Sequence, residues 1–308
     1  MIERPVIERP GLRRTRRSDG WTPYAFLAPF VLLFAVFTAA PSLATFALAW
    51  WEWDPLGGRT WAGTANFERL VADPRFWTAT VNTLAIAALA TVAQVSVGAV
   101  LAHAARGATS RAGTALGVSL LVPYVTSGAA VAILVAQLVD RDYGALTRAL
   151  AALGVDDVDV LAHPAGAWTV VAAMVAWRWF GFTTLLMMAA LRSAPRDLFR
   201  AAELDGAGSW AQFRFLSLPL LGPVIAFSFL TSVVGALQLF TEPLMADPTG
   251  ITCGPARQCQ TLALLVYEVG FRDYQFGYAA AVAAAVFVLT AALVAGFFAG
   301  FRRLGWTT

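Results

Sequence analysis

The sequence predicts an all-α transmembrane protein, a bundle of six apolar helices with both chain termini on the cytoplasmic side. Three observations carry that expectation. Of 308 residues, 58% are hydrophobic and only 13% charged, where a soluble domain averages about 25% charged. Six apolar runs, near 24–50, 80–104, 114–138, 168–190, 223–241 and 277–301, approach or exceed the roughly 20 residues that cross a hydrocarbon core. The arginines fall unevenly between the runs. Fourteen lie in the N-terminal tail, the turn at 106–111, the loop 192–222 and the C-terminal tail, against seven in the alternate loops. Basic residues are retained on the cytoplasmic side, and the acidic stretch DDVD at 156–159 leans the other way.

Residues 1–23 then read as a basic cytoplasmic tail and 24–308 as the transmembrane domain. RRTRRSDGW before the first apolar run has the flank of a signal peptide, but the run is too long for one and no soluble domain follows it. A first membrane helix is the expectation.

Composition also excludes mechanisms. All 22 basic residues are Arg, with no Lys. That removes a P-loop lysine and Schiff-base chemistry, so any ATP used, with its Mg, must be bound by another subunit, and no cofactor is expected on this chain. Two His and two Cys are too few for a metal cage of usual ligand spacing. His103 and His163 fall near opposite membrane faces. The net charge of +3 is explained by topology and does not indicate nucleic acid.

The loop FRAAELDGAGSWAQFRFLSLPLLGP, 199–223, is amphipathic and rich in small residues. Ser193 is placed to cap a helix with Pro195 in its first turn, and Gly206 or Gly208 to end it. Ser209 is placed to cap a second short helix that ends at Leu218-Pro219. On pattern alone this helix-turn-helix is either a solvated amphipathic loop or a docking element.

Its residues resemble the EAA loop of binding-protein-dependent ABC importer permeases. The match runs Arg200-Ala201-Ala202, three residues, Gly206, nine residues, Leu216, one residue, Leu218-Pro219, with Asp205-Gly206-Ala207 in the common form. LAPFVLLFAVFTAAPSL (27–43), WDP (53–55), NFERLVADPRFW (66–77), NTL (82–84), LLVPYVTSG (120–128), DYGALTRALAALGV (142–155), WRWFGF (177–182), Cys253-Gly254-Pro255 and FRDYQFGYAAA (271–281) extend the resemblance to carbohydrate-importer permeases of the MalF type. It implies a six-helix MetI-like bundle and import of a sugar. The implied partners are a second permease, two ATPase subunits and an extracytoplasmic solute-binding protein, with membrane lipid around the bundle. In that family the loop docks into the ATPase, here through Arg200, Ala201, Ala202, Glu203, Asp205, Gly206, Ala207, Leu216, Leu218 and Pro219. The family Glu is Arg200 in this chain, so the ionic partner differs, or Glu203 has taken over the contact, or docking is by shape alone.

Arg178 is the costliest residue to bury, at least ~2.5 kcal/mol within a span. It lines the path, pairs with an acid such as Glu242, or snorkels to the interface. Trp177, Trp179 and Phe180 flank it, and aromatic faces suit a sugar ring as well as ordinary packing. The resemblance adds Phe180, Gly181 and Thr184, then Gln238 and Phe240 with Glu242 just beyond, as path candidates. Pro123 and Pro219 read as kinks or boundaries, Asn66 and Asn82 as capping or packing residues, and Gly254-Pro255 as a tight turn. Cys253 and Cys259 enclose only GPARQ and lie outside by the arginine split, where oxidation is permitted. A disulfide is expected, with two free thiols as the alternative. Rival functions are a permease for glycerol phosphate, polyamine or phosphate, a secondary transporter and a membrane enzyme. The last would need clustered His, Asp or Ser at a membrane face.

Overall fold

Hydrocarbon offers no hydrogen-bond partner, so a spanning chain must satisfy its backbone internally, and helices do this. A computed structural model describes residues 21–54, 57–107, 110–154, 159–247 and 250–303. Most of the basic tail, and Asp156 and Asp157 of the acidic stretch, lie outside them. The chain divides into two units, 1–47 and 48–308.

The first unit is built from α1 (Thr22–Phe34), a π-helical turn at Ala35–Ala39 and α2 (Ala40–Leu48), which run on as the apolar helix Pro23–Leu48. The wide turn precedes Pro41, which has no N–H to give its preceding turn. Ser42 and Thr45 donate their hydroxyls to the carbonyls of Thr38 and Pro41, at 2.7 and 2.9 Å.

The second unit begins with an antiparallel hairpin, β1 (Trp51–Asp54) and β2 (Gly58–Trp61), with Trp51 opposite Trp61. α3 (Ala65–Ala72) follows, and Asn66 donates to the carbonyls of Ala49 and Trp51. Asp73 then caps α4 (Pro74–Ala104) by accepting from the Arg75 N–H, and a 3-10 turn extends that helix to Gly107. Next come α5 (Ser110–Val125), α6 (Gly128–Val139), α7 (Ala145–Ala152) and α8 (Pro164–Ser193), then α9 (Arg196–Leu204) and α10 (Ser209–Gln212). After a π-helical turn at Phe213–Ser217 the chain continues through α11 (Leu218–Leu237), α12 (Thr241–Ala246), α13 (Leu262–Tyr267) and α14 (Phe276–Arg303).

α4 and α8 form the central pair. α4 buries Ala79, Ala87, Ala90, Gly98, Ala99 and Ala102, and small residues let membrane helices approach closely. A Cβ built on Gly98 would touch Thr183 Cγ2 at 3.3 Å, and one on Gly181 would lie 1.7 Å from the Leu120 carbonyl oxygen. Gly181 is therefore the point where α5 crosses α8 backbone to side-chain-free backbone.

Among the described residues, five helices are long and apolar enough to cross a membrane: Pro23–Leu48, Pro74–Gly107, Pro164–Ser193, Ser209–Leu237 and Phe276–Gly300. The third predicted run departs from expectation. It is α5 and α6, bent by 82°. Pro123 withholds a donor from the last turns of α5, and Thr126 Oγ1 donates to the Val122 carbonyl at 2.8 Å, closing that end before Gly128 restarts the chain. Three local expectations also fail. Ser193 does not cap α9, because its hydroxyl donates back to Ala190, and Pro195 holds the cap position. Ser209 is inside α10 and Gly208 is its cap. Leu218-Pro219 does not break the helix. The π-helical turn absorbs the missing N–H of Pro219, and Ser209–Leu237 is continuous.

The Gly181 crossing makes a prediction. Gly181→Ala should lower stability by about 1–3 kcal/mol, as overpacking does. Thermal unfolding in detergent measures it, and an unchanged midpoint would mean that α5 and α8 do not meet there.

Candidate functional site

Polar side chains inside the apolar helices are few, and most bond back to their own helix. Thr83, Thr184 and Thr290, for example, donate to the carbonyls four residues earlier at 2.7 Å each. A group that faces neighbouring helices behaves differently. Between α4, α8 and α11 lies a cavity lined by Thr91, Gln94, Trp179, Phe182, Thr183, Ser228, Thr231 and Ser232, with aliphatic residues and a glycine between them. Gln94 Nε2 donates to Ser232 Oγ, which donates to the Ser228 carbonyl at 2.6 Å. Thr91 Oγ1 and Ser228 Oγ are buried there with no hydrogen-bond partner among the described residues. Tyr124 packs on two of the rings, edge-on to Trp179 at 5.3 Å and stacked on Phe182 at 5.4 Å. Among the described residues no charged side chain lines the cavity.

Sequence reasoning missed most of this lining. The signal was available, since Thr91 and Gln94 on α4, and Ser228 and Ser232 on α11, recur at i, i+3 or i, i+4 within apolar runs and so share a helix face.

The predicted path residues separate. Arg178, near the middle of α8, forms an ion pair with Glu242 of α12, whose side chain is 5% exposed. Snorkelling is thus replaced by pairing across elements. Gly128, at the start of α6, packs on both partners: a Cβ there would lie 2.7 Å from Arg178 Nη1 and 3.0 Å from Glu242 Oε1. The break in the third run therefore brings a helix N-terminus to the carboxylate, a favourable placement for negative charge. Trp177 and Phe180 line a shallow groove on the other side of Gln94. Gly181 and Thr184 are turned into helix packing, Thr184 with no exposure. Gln238 caps α11 and is exposed. Phe240 meets Tyr267 edge-on at 5.3 Å.

At one end of the bundle α9 presents the small-residue loop. Its termination is a Schellman motif: Ala207 N–H bonds to the Ala202 carbonyl at 2.8 Å and Gly206 N–H to Glu203 at 3.1 Å. Gly206 has φ +81°, which a residue with a Cβ adopts only under strain. Ala202 and Ala207 are half-buried, and Ala201 and Asp205 are exposed. Arg200 is 72% exposed, with Asp197 at 3.5 Å. Glu203 lies 3.8 Å from Arg106. Leu216, Leu218 and Pro219 belong to the continuous helix beyond.

At the other end Cys253 and Cys259 are disulfide-bonded, Cα atoms 5.2 Å apart. Gly254 (φ +97°) makes the turn, and a Cβ on it would lie 1.9 Å from Gln258 Oε1. Asn82 donates to the carbonyls of Arg257 and Gln260 and accepts from Trp168 Nε1, so it fastens this loop to α4 and α8. Arg257 closes on Glu268 at 2.6 and 3.0 Å, joined by Gln260 Nε2 at 2.8 Å. Burial opposes ionisation of Glu268, but the bonds from Arg257 and Gln260 outweigh it and hold its carboxyl below the usual range. Asp73 behaves alike: burial opposes ionisation and the bonds from Arg75 and Tyr278 prevail.

Residues 95–302 match the family described as the binding-protein-dependent transport system inner membrane component. The chain is 32% identical to the lactose transport system permease protein LacF of Rhizobium radiobacter, over 94% of this chain and 95% of that protein. It is 31% identical to the sn-glycerol-3-phosphate transport system permease protein UgpA of Yersinia pestis, over 89% and 90%. A bacterial alginate ABC transporter, solved in complex with an alginate pentasaccharide-bound periplasmic protein, shares the fold. The TM-score is 0.78 at 22% identity, covering 93% of this chain and 96% of that one.

A depressed carboxylate pKa stabilises the fold above its unfolded value and loses that stabilisation as pH falls through the folded one. Glu268→Gln should therefore cost about 3 kcal/mol at neutral pH, the scale for breaking a buried pair. The gap to the parent protein should close as pH falls below the usual 4.5 of a glutamate. Denaturation midpoints across that range check it, and a gap independent of pH would contradict the ionic account.

Proposed function

The chain belongs to the family of binding-protein-dependent transport system inner membrane components, and on that premise we propose that it is the permease subunit that passes a sugar across the bacterial cytoplasmic membrane. The observation that carries the substrate class is the cavity of α4, α8 and α11. Its lining offers hydroxyls, one amide and two aromatic rings, two of the hydroxyls unpartnered, and no charge. Such a lining suits a neutral polyhydroxylated ligand, whose ring faces stack on Trp179 and Phe182 while its hydroxyls bond to Thr91, Gln94 and Ser228. A phosphorylated solute, as the name of UgpA indicates for that relative, would need a free cation, and Arg178 is committed to Glu242. The names of relatives such as LacF support the sugar reading.

The rest of the assembly follows from the family. A second permease completes the path, two ATPase subunits hydrolyse ATP with its Mg, and a binding protein delivers the sugar, as the periplasmic protein in the alginate complex supports. The split of fourteen arginines to seven supports placing α9 and both termini inside and the disulfide loop outside. The Arg178–Glu242 pair then holds α8, α12 and the start of α6 together beside the path, and lets a charge stay in the bundle without making the path selective for anions. α9 docks into the ATPase by its exposed face. Arg200 at the family's Glu position implies an acidic or neutral residue opposite it, since like charges across an interface repel.

Two experiments test this. In proteoliposomes holding the full complex with its binding protein, Gln94→Leu and Ser228→Ala should each reduce sugar uptake by about tenfold, roughly one lost hydrogen bond to a buried polar group. Uptake of glycerol phosphate with no uptake of sugar would overturn the substrate class. Arg200→Glu should impair ATP hydrolysis stimulated by the loaded binding protein, and an acid-to-base change in the ATPase groove should restore it. A silent Arg200→Glu would leave docking to shape alone.

A further inference from the structure

α9 is held to the bundle by few side chains. Asp197 and Arg200 are 94% and 72% exposed, and Leu204 is 89% exposed. Among the described side chains of α9, only Phe199 and Ala202, three residues apart, are partly buried. Phe199 packs on the apolar cluster that includes Ala102, Ala105 and Leu191, and beside it lies Arg106, in the 3-10 turn that ends α4.

The Arg106 guanidinium touches three separate elements. Toward α9 it lies over the Phe199 ring, 5.0 Å from its centre, and 3.8 Å from Glu203 Oε1. Toward α10 it donates to Gln212 Oε1, and Gln212 in turn donates to the Ala207 carbonyl at 3.0 Å, behind the Schellman turn. On its own helix it sits 2.6 Å from His103 Nε2. His103 is 7% exposed, and its ring is fixed by Ser217 Oγ at 2.7 Å and Ser209 Oγ at 3.2 Å, with Phe213 edge-on at 5.3 Å. Gln212 and Ser217 are 3% and 0% exposed. Buried His103, Gln212 and Ser217 and the partly exposed Arg106 therefore form a polar joint at the meeting of α4, α9 and the α10–α11 helix, and neither the cavity nor the exposed face of α9 accounts for it.

A forked group that meets three elements, by a hydrogen bond at α10 and by an ion pair and a ring contact at α9, links their positions. α9 cannot be displaced with these contacts kept unless the end of α4 moves with it. α4 is helical without interruption from Pro74 to Ala104, and Gln94 lies twelve positions before Arg106, roughly 18 Å along the axis. A shift at Arg106 thus reaches Gln94 and Thr91 in the cavity through one stiff rod. The covalent route, from α9 through α10 to α11, reaches the opposite wall at Ser228 and Ser232.

We infer that Arg106 is a positioning residue for coupling: it passes displacement of α9 directly to α4, so that both walls of the cavity move when the loop moves. The inference rests on α9 being the helix that docks into the ATPase. Arg rather than Lys suits the position, because a planar fork can serve several acceptors at once and a point charge cannot.

The test uses the full complex in proteoliposomes with its binding protein. Arg106→Ala should keep ATP hydrolysis but lower sugar uptake per ATP by about tenfold, within the usual range of coupling between sites, and Arg106→Lys should fall between it and the parent. Spin labels at Asp197 on α9, outside the docking residues, and Val97 on α4 supply a readout that does not depend on uptake. Their separation should stay constant through the ATP cycle in the parent complex and change in Arg106→Lys, which also decides the matter if Arg106→Ala does not assemble. Unchanged uptake per ATP in Arg106→Ala, or a label separation as constant in Arg106→Lys as in the parent, would overturn the inference alone. A parent complex that hydrolyses ATP without uptake would sink the importer reading and this inference with it.

Discussion

The absence of water from the hydrocarbon interior is the constraint on which this structure depends. Every buried polar group must find its partner within the chain or be left costly. The helices answer locally, with Ser and Thr hydroxyls returned to carbonyls one turn back. The loop at 250–261 answers by enclosure: Gln258, Gln260, Thr261 and Asn82 are all buried and all hydrogen-bonded. Against that background the exceptions matter. Among the described residues four buried side-chain atoms lack a partner, and Thr91 Oγ1 and Ser228 Oγ share one cavity. A path for a polyhydroxylated solute needs such unspent donors and acceptors, which a merely structural core would have eliminated.

The same constraint explains the broken third run. The bend, closed by Thr126 and restarted at Ser127, brings the α6 N-terminus to the Arg178–Glu242 pair. Charge burial is tolerated because it is paired, and pairing removes the net charge that would otherwise bias the path toward anions. One residue, Gly128, is small enough to permit the approach.

Much of the fold was legible in the sequence because hydrophobic length is a strong signal. Five runs appear as continuous helices, and the first helix of the helix-turn-helix at 196–212 is closed by Gly206 with its φ of +81°. The failures are local. Ser193 and Ser209 both have capping chemistry, but Ser193 bonds backward and Ser209 faces His103, which the flanking residues could not disclose. Pro219 reads as a breaker until a π-helical turn is placed before it. In the candidate site, Arg178 stands out by its cost and Glu242 as its partner. Gln94, Ser228 and Tyr124 were hidden because their significance lies in which helices face each other. Arg106 counted only toward topology, since its neighbours come from three distant stretches of chain.

The central claim is that a neutral sugar is bound by the unspent groups between α4, α8 and α11. Its most direct measurement is an electron cryo-microscopy map of the complete complex with sugar, arrested by an ATPase unable to hydrolyse ATP. The account predicts sugar density within hydrogen-bond distance of Gln94 and Ser228, stacked on Trp179. Density seated instead on a separated Arg178, with the cavity closed around Gln94, would contradict it.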